Sequence, residues 1–226
     1  MKKLLLLGFI LVSTSAFAQY KRGGGGAFSF GMQTMPVSEL RIFAPDMAPL
    51  PTTSLTFGGY GYLQFNRFTV GLKGGGYTGS ESRDAEFVYS FGGGYFMADV
   101  GYKVFGTDRT SIYPVLGVGF YGAGFQAAEL GTVTITNVDL PYMNTSSFNI
   151  SNVLFDLGVR LEQIVTFKSS EHCGKGGMMV GLEAGYQYSP PTDYWKGSCG
   201  CPVYGVPEFS FQGFYARLLI GGFGGM

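Results

Sequence analysis

Charge is scarce in this chain. Only 13% of its 226 residues are Asp, Glu, Lys or Arg, and the formal net charge is zero. Such a balance supplies no positive field for a polyanion, so nucleic acid is not an expected partner. Histidine occurs once, at His172, and cysteine three times, at Cys173, Cys199 and Cys201. A metal site would need further ligands around His172, and a nucleophilic triad would need a base beside its nucleophile. No cofactor or metal is therefore expected, and His172 reads as an exposed turn residue. No apolar run beyond the first 18 residues approaches the length of a transmembrane helix. Very little of the sequence repeats at helical spacing, which leaves strands. What the chain has in abundance is glycine, 38 residues, together with 21 Phe and 15 Tyr. Glycine and aromatics spread through alternating segments suit strands that bend and close, with rings at an interface. The density of Phe, Tyr, Leu and Val argues against a disordered glycine-rich chain.

Residues 1–18, MKKLLLLGFILVSTSAFA, have the build of a secretory signal. Lys2 and Lys3 form a basic start, residues 4–12 an apolar core too short to span a bilayer, and Ala16-Phe17-Ala18 a small-x-small cleavage pattern. The expected division is a signal peptide, 1–18, and one barrel domain, 19–226. No cysteine follows the cleavage pattern, which argues against a lipoprotein anchor.

The organising stretch is 153–167, VLFDLGVRLEQIVTF. Val153, Phe155, Leu157, Val159 and Leu161 fall on one parity, and Asp156, Gly158, Arg160 and Glu162 on the other. Strand side chains alternate between faces, so one face is apolar and the other charged. In a soluble barrel the apolar face points inward. In a membrane barrel it meets lipid, and the charges line a narrow lumen where they must find partners.

Eight such segments are expected. They run over about 27–33, 53–65, 68–78, 86–104, 112–125, 153–167, 178–188 and 208–221. Residues 19–26 are read as a flexible lead. Gly92-Gly93-Gly94 is expected to bend the fourth segment. Phe209 and Phe211 sit on the parity opposite Phe214, Ala216, Leu218 and Ile220, which suggests a bulge near Gly213. Short turns at 66–67, 105–111 and 168–177 alternate with connections at 34–51, 79–85, 126–151 and 189–207. All but the second of these connections are long. Within 126–151, the segment 132–138 could extend a strand beyond the membrane. Short turns on one side and long loops on the other are the arrangement of outer-membrane barrels, with the turns in the periplasm.

The polar face collects Lys73, Lys103, Arg160 and Arg217 against Asp99, Asp156, Glu162 and Glu183. An eight-stranded barrel has an interior that side chains just fill, so balanced charges there can pair. This set is expected to form a structural lumen network. Aromatics near segment ends (Phe65, Phe68, Phe105, Tyr113, Phe167, and on the opposite rim Tyr186 and Tyr188) suggest two interfacial girdles, with Trp195 as a further outer anchor.

These features together resemble the small eight-stranded outer-membrane barrels of the OmpA/OmpX-like group. The resemblance rests on the signal, the alternating segments and a closing strand, FYARLLIGGFGG from Phe214. It implies an all-β, antiparallel up-and-down transmembrane barrel in the bacterial outer membrane, folded by the outer-membrane assembly machinery and surrounded by outer-membrane lipid. The group usually ends on an aromatic; here the last one, Phe223, is inset from Met226. Members serve as anchors, adhesins, resistance factors and a few lipid-modifying enzymes. The leading expectation is a non-enzymatic barrel with a structural or surface-interaction role and a possible extracellular ligand bound through its long loops. A small-solute channel, a lipid-modifying enzyme and a soluble periplasmic ligand-binding barrel are the alternatives. Residues 117–122 match GxGxxG literally, but no helix or βαβ pattern follows, so they read as strand. Cys173 is placed on the turn side and Cys199 and Cys201 on the loop side, so a bridge between the two sides is excluded by distance, and Cys199-Gly200-Cys201 could close only a local ring.

Overall fold

The computed structural model describes residues 22–36, 51–83, 87–107, 109–135, 138–166, 175–197, 199–203 and 208–225. Residues 1–18, read from sequence as a signal peptide, Phe167 and Glu171-His172-Cys173 lie outside the described residues. The described elements are strands: β1 (Arg22–Thr34), β2 (Thr53–Phe65), β3 (Phe68–Arg83), β4 (Phe87–Tyr102), β5 (Phe105–Gly106), β6 (Thr110–Ile135), β7 (Val138–Thr166), β8 (Lys175–Tyr188), β9 (Trp195–Gly197), β10 (Pro202–Val203) and β11 (Gln212–Gly225). Eight of them, β1 to β4, β6 to β8 and β11, pair antiparallel with their neighbours in chain order, and β11 returns to pair with β1. The sheet is a closed up-and-down barrel with no open edge around its girth. Antiparallel neighbours need only tight connections, and Asn66, at φ 59°, makes one of them between β2 and β3.

Closure depends on residues with no side chain to signal it. Gly23 to Gly26, read from sequence as flexible lead, pair with Gly222 to Gly225 on one side and with Gly61 to Gln64 on the other. Gly221 sits so close to this seam that an added Cβ would lie 1.9 Å from the Gly26 carbonyl oxygen. Two backbones that approach this tightly admit only glycine at that point.

Alternation sorts the two faces. Phe30, Phe57, Leu72, Val118, Leu157, Leu182 and Leu218 are exposed on the outside, while Lys73, Asp99, Asp156, Arg160 and Glu183 are buried inside. An apolar outer belt on a closed barrel is the surface a bilayer requires of strands. The organising stretch 153–161 therefore turns its aliphatic row to lipid and its ionic row to the lumen.

Several sequence expectations are corrected. Gly92-Gly93-Gly94 does not bend β4: its pairing with β6 runs without a shift from Phe87 opposite Glu129 to Gly101 opposite Val115. The irregularity lies across the other edge, between Tyr77 and Ser80 of β3. Residues 79–83 continue β3 rather than forming a loop. No bulge occurs at Gly213, since β11 pairs evenly with β8 from Gln212 onward. Phe209 and Phe211 share the inward parity of Gly213, Tyr215 and Arg217, and both are fully buried. The largest correction concerns 126–151. β6 and β7 are 26 and 29 residues long and stay paired from Thr110 opposite Gln163 to Ile135 opposite Val138. About 9–11 residues suffice for a tilted strand to cross a bilayer. The remainder is a hairpin that projects past the rim.

Candidate functional site

The lumen is filled in three tiers. At the turn end, Ala27, Tyr60, Tyr62, Met179 and Leu219 form an apolar cluster, with the Tyr60 and Tyr62 rings stacked at 5.2 Å. At the loop end, a larger cluster gathers Met35, Tyr77, Tyr95, Met97, Tyr121, Phe125 and Leu154 from the walls and Trp195, Phe209 and Phe211 from the β8–β11 connection. Between them lies the ionic tier.

Inward glycines make room for that middle tier. A Cβ on Gly71 would fall 2.5 Å from the Tyr60 ring, and one on Gly158 would fall 2.6 Å from the Tyr215 hydroxyl. Both tyrosines thereby reach across the lumen to the charges. The Lys73 ammonium sits 2.5 Å from Asp156 Oδ2, 2.9 Å from Glu183 Oε1 and 3.5 Å from Asp99 Oδ2. Arg160 spans the other side, with Nη2 3.0 Å from Asp99 Oδ2 and Nε donating to Glu183 Oε2 at 2.6 Å. Its Nη1 donates to the Tyr60 hydroxyl, and its guanidinium lies 4.0 Å from the Tyr60 ring centre. The Tyr215 hydroxyl is 3.2 Å from both Asp156 Oδ2 and Glu183 Oε1. Every charged side chain in this knot is at most 4% exposed. Ion pairs taken out of water hold only when their geometry is good and their remaining valences are met. Here both Glu183 oxygens are held, while Asp99 Oδ1 and Asp156 Oδ1 are buried without a hydrogen-bond partner among the described residues.

The eight residues expected to form the network do not share one pattern. Lys73, Asp99, Asp156, Arg160 and Glu183 meet as described. Glu162 is buried below them, with Oε1 3.8 Å from Arg160 Nη1. Arg217 is buried without a carboxylate partner among the described residues. It lies between the rings of Tyr95 and Tyr215, at 4.7 and 4.2 Å, and donates to Gln33 Oε1 at 3.2 Å. Gln33 in turn donates to Gln187 Oε1 at 2.8 Å, so a chain of amides replaces the expected ion pair. Lys103 stands apart: it follows β4, and its ammonium donates to the Thr107 carbonyl in the turn. The charges are even in number, but they are not matched one to one. Two cations hold the central carboxylates, and π faces and amides hold the third.

Two expected girdle positions are also corrected. Tyr113 is 1% exposed and belongs to the interior, and Trp195 is fully buried, its ring edge-on to Phe209 at 5.8 Å. Trp195 caps the lumen from within; its neighbour Tyr194 is the exposed ring. No sequence periodicity could have placed Trp195, because it reaches the interior from a connection rather than a barrel strand, whereas Phe209 and Phe211 carry the inward parity of β11 back into that connection. Cys199 and Cys201 are joined to each other, closing the small loop between β9 and β10. Residues 117–122 are strand within β6.

No protein-family model and no curated protein matches the chain. Among solved structures, the chain is similar to Ail, the attachment invasion locus protein of Yersinia pestis (13% identity, 90% of this chain and 99% of that one, TM-score 0.39). It is also similar to the outer membrane protease OmpT of Escherichia coli (6%, 91% and 97%, TM-score 0.38) and to the outer membrane protein OprG of Pseudomonas aeruginosa (9%, 92% and 96%, TM-score 0.36). The second and third of these are outer membrane proteins. This chain's own register and closure make it an eight-stranded antiparallel barrel with the outer surface of an outer-membrane protein.

Proposed function

We propose that the protein is a non-enzymatic, side-chain-plugged barrel that fixes a rigid β6–β7 hairpin above the outer membrane as its interaction element. The observation behind this reading is the continuity of β6 and β7, which carry the register of the membrane wall outward without a break to Ile135 and Val138. An unbroken ladder transmits the orientation of the barrel to its tip, as a flexible loop would not. Partners would meet this hairpin and the neighbouring connections, an extracellular ligand among them. The assembly machinery would fold the barrel, and outer-membrane lipid would surround it.

The filled lumen supports a passive rather than a conducting or catalytic role. The central carboxylates are tied to Lys73 and Arg160, with apolar tiers above and below, so none of them is presented to a substrate. Purified protein reconstituted in planar bilayers is expected to give no stepwise conductance. Regular single-channel steps would favour the channel reading.

Truncating the hairpin separates platform from interaction element. Glu129 pairs with Asn144 six residues down an unshifted ladder from Ile135 and Val138, on the same hydrogen-bonded parity, so residues 130–143 can be replaced by Asn-Gly, a two-residue turn that keeps the register. The shortened protein is expected to retain the heat-modifiable gel mobility of a folded barrel and to lose surface binding. Failure of the barrel itself to form would show that the hairpin is a structural part of it and would contradict this reading.

A further inference from the structure

The outer face changes character abruptly along β4, β6 and β7. Phe96, Phe120 and Val153 form one large apolar cross-strand row. The next rows are Gly94, Gly122 and Ser151, then Gly92, Gly124 and Asn149. Loss of every large side chain just beyond an apolar belt marks the level where acyl chains give way to headgroups.

At that level the surface holds a groove of about 560 Å³. This is within the range of small-molecule sites, roughly 300–1,000 Å³. Ser90, Gln126, Asn149 and Ser151 offer neutral donors and acceptors around a glycine floor, and Tyr194 and Lys196 of the β8–β11 connection close one side. Strand alternation aims them. In β9, Trp195 points inward to cap the lumen, so Lys196 points outward, opposite Asn149 of β7. The Lys196 ammonium lies 5.4 Å from the centre of the exposed Tyr194 ring and has no carboxylate partner among the described residues. The groove thus combines a cation with no carboxylate partner among the described residues, an exposed aromatic ring, several neutral hydrogen-bonding groups and an apolar wall immediately beneath.

We propose that this groove binds the phosphorylated sugar headgroup of a lipid in the surrounding leaflet. Lys196 takes the phosphate. The amides and hydroxyls take sugar hydroxyls, with Tyr194 against a sugar face, and the acyl chains lie along Phe96, Phe120 and Val153. A soluble anion would use only the first of these features; a phospholipid without a sugar would leave the hydroxyl and amide ring unused. The proposal rests on the barrel spanning a bilayer and is independent of any role for the hairpin.

The test uses the full protein in zwitterionic nanodiscs. The probes are an acylated, phosphorylated glucosamine disaccharide, its dephosphorylated counterpart and water-soluble glucosamine phosphate, with binding read by native mass spectrometry and titration. A Cβ on Gly122 meets no atom within 4 Å, so Gly122→Leu fills the groove without moving the wall. The wild type is expected to prefer the phosphorylated over the dephosphorylated lipid by about ten-fold, from one charge-assisted contact. Lys196→Gln is expected to abolish that preference, and Gly122→Leu to weaken both lipids by about ten-fold or more. Unchanged lipid binding in Gly122→Leu, a retained preference in Lys196→Gln, or equal binding of the soluble phosphosugar would each overturn the proposal. Heat-modifiable mobility of both variants confirms that the barrel is folded, and neither the conductance measurement nor the hairpin truncation has any bearing on the outcome.

Discussion

Replacing Arg160 with methionine is expected to destabilise the barrel by roughly 3–5 kcal/mol, the cost of breaking a buried ion pair from one side. The arginine is 1% exposed and serves Asp99, Glu183 and Tyr60 at once, with Glu162 close by. Its removal leaves Lys73 as the only cation in contact with Asp99, Asp156 and Glu183 among the described residues. The change is read as a lower urea midpoint in the folded-band gel assay. Arg160→Lys should fall between wild type and methionine, because an ammonium keeps the charge but cannot span both carboxylates as a guanidinium fork does. Adding Glu183→Gln to Arg160→Met should recover part of the loss, since it removes one of the stranded charges. Independent, additive effects of the two substitutions would show that they do not share a network.

The second large effect lies on the opposite face. Leu157 is 62% exposed in the outer belt, one residue from the buried Asp156. Leu157→Arg is expected to cost about 2–4 kcal/mol, falling toward the lower figure if the side chain can reach an interface. Gln126→Arg, beyond the apolar rows, should cost little. If Leu157→Arg were neutral, the aliphatic row would not be in hydrocarbon. The two substitutions bracket the membrane boundary, and their ratio is more informative than either value alone.

How far these features could be read from sequence depended on whether each face of a strand met a different solvent. β2 was legible to the residue, because Leu55, Phe57 and Leu63 alternate with inward polar groups up to a turn at Asn66. The same held for the ionic row of β7. The outer half of the β6–β7 hairpin was not legible: beyond the bilayer both faces of a strand are wet, and the alternation that marks a membrane strand disappears. The seam of β1 with β11 was hidden for a different reason, since paired glycines carry no pattern. The parity of Phe209 and Phe211 was visible, but its meaning was not. A reading that expects the interior to be polar takes inward aromatics as a register slip, whereas this lumen is apolar at both ends. Arg217 and Lys103 could not be distinguished from the central charges by parity, which reports the face of a residue and not its depth or partner.

The central claim is that the outer belt containing Leu157, Val118 and Leu182 faces acyl chains around a closed, filled barrel. Spin labels placed singly at these positions, and at Gln126 beyond the boundary, test it most directly in lipid bilayers. The three belt labels should collide freely with oxygen, which dissolves in hydrocarbon, and hardly at all with a water-soluble nickel chelate; the label at 126 should show the reverse. Strong nickel contact at 157, 118 and 182 would contradict the account.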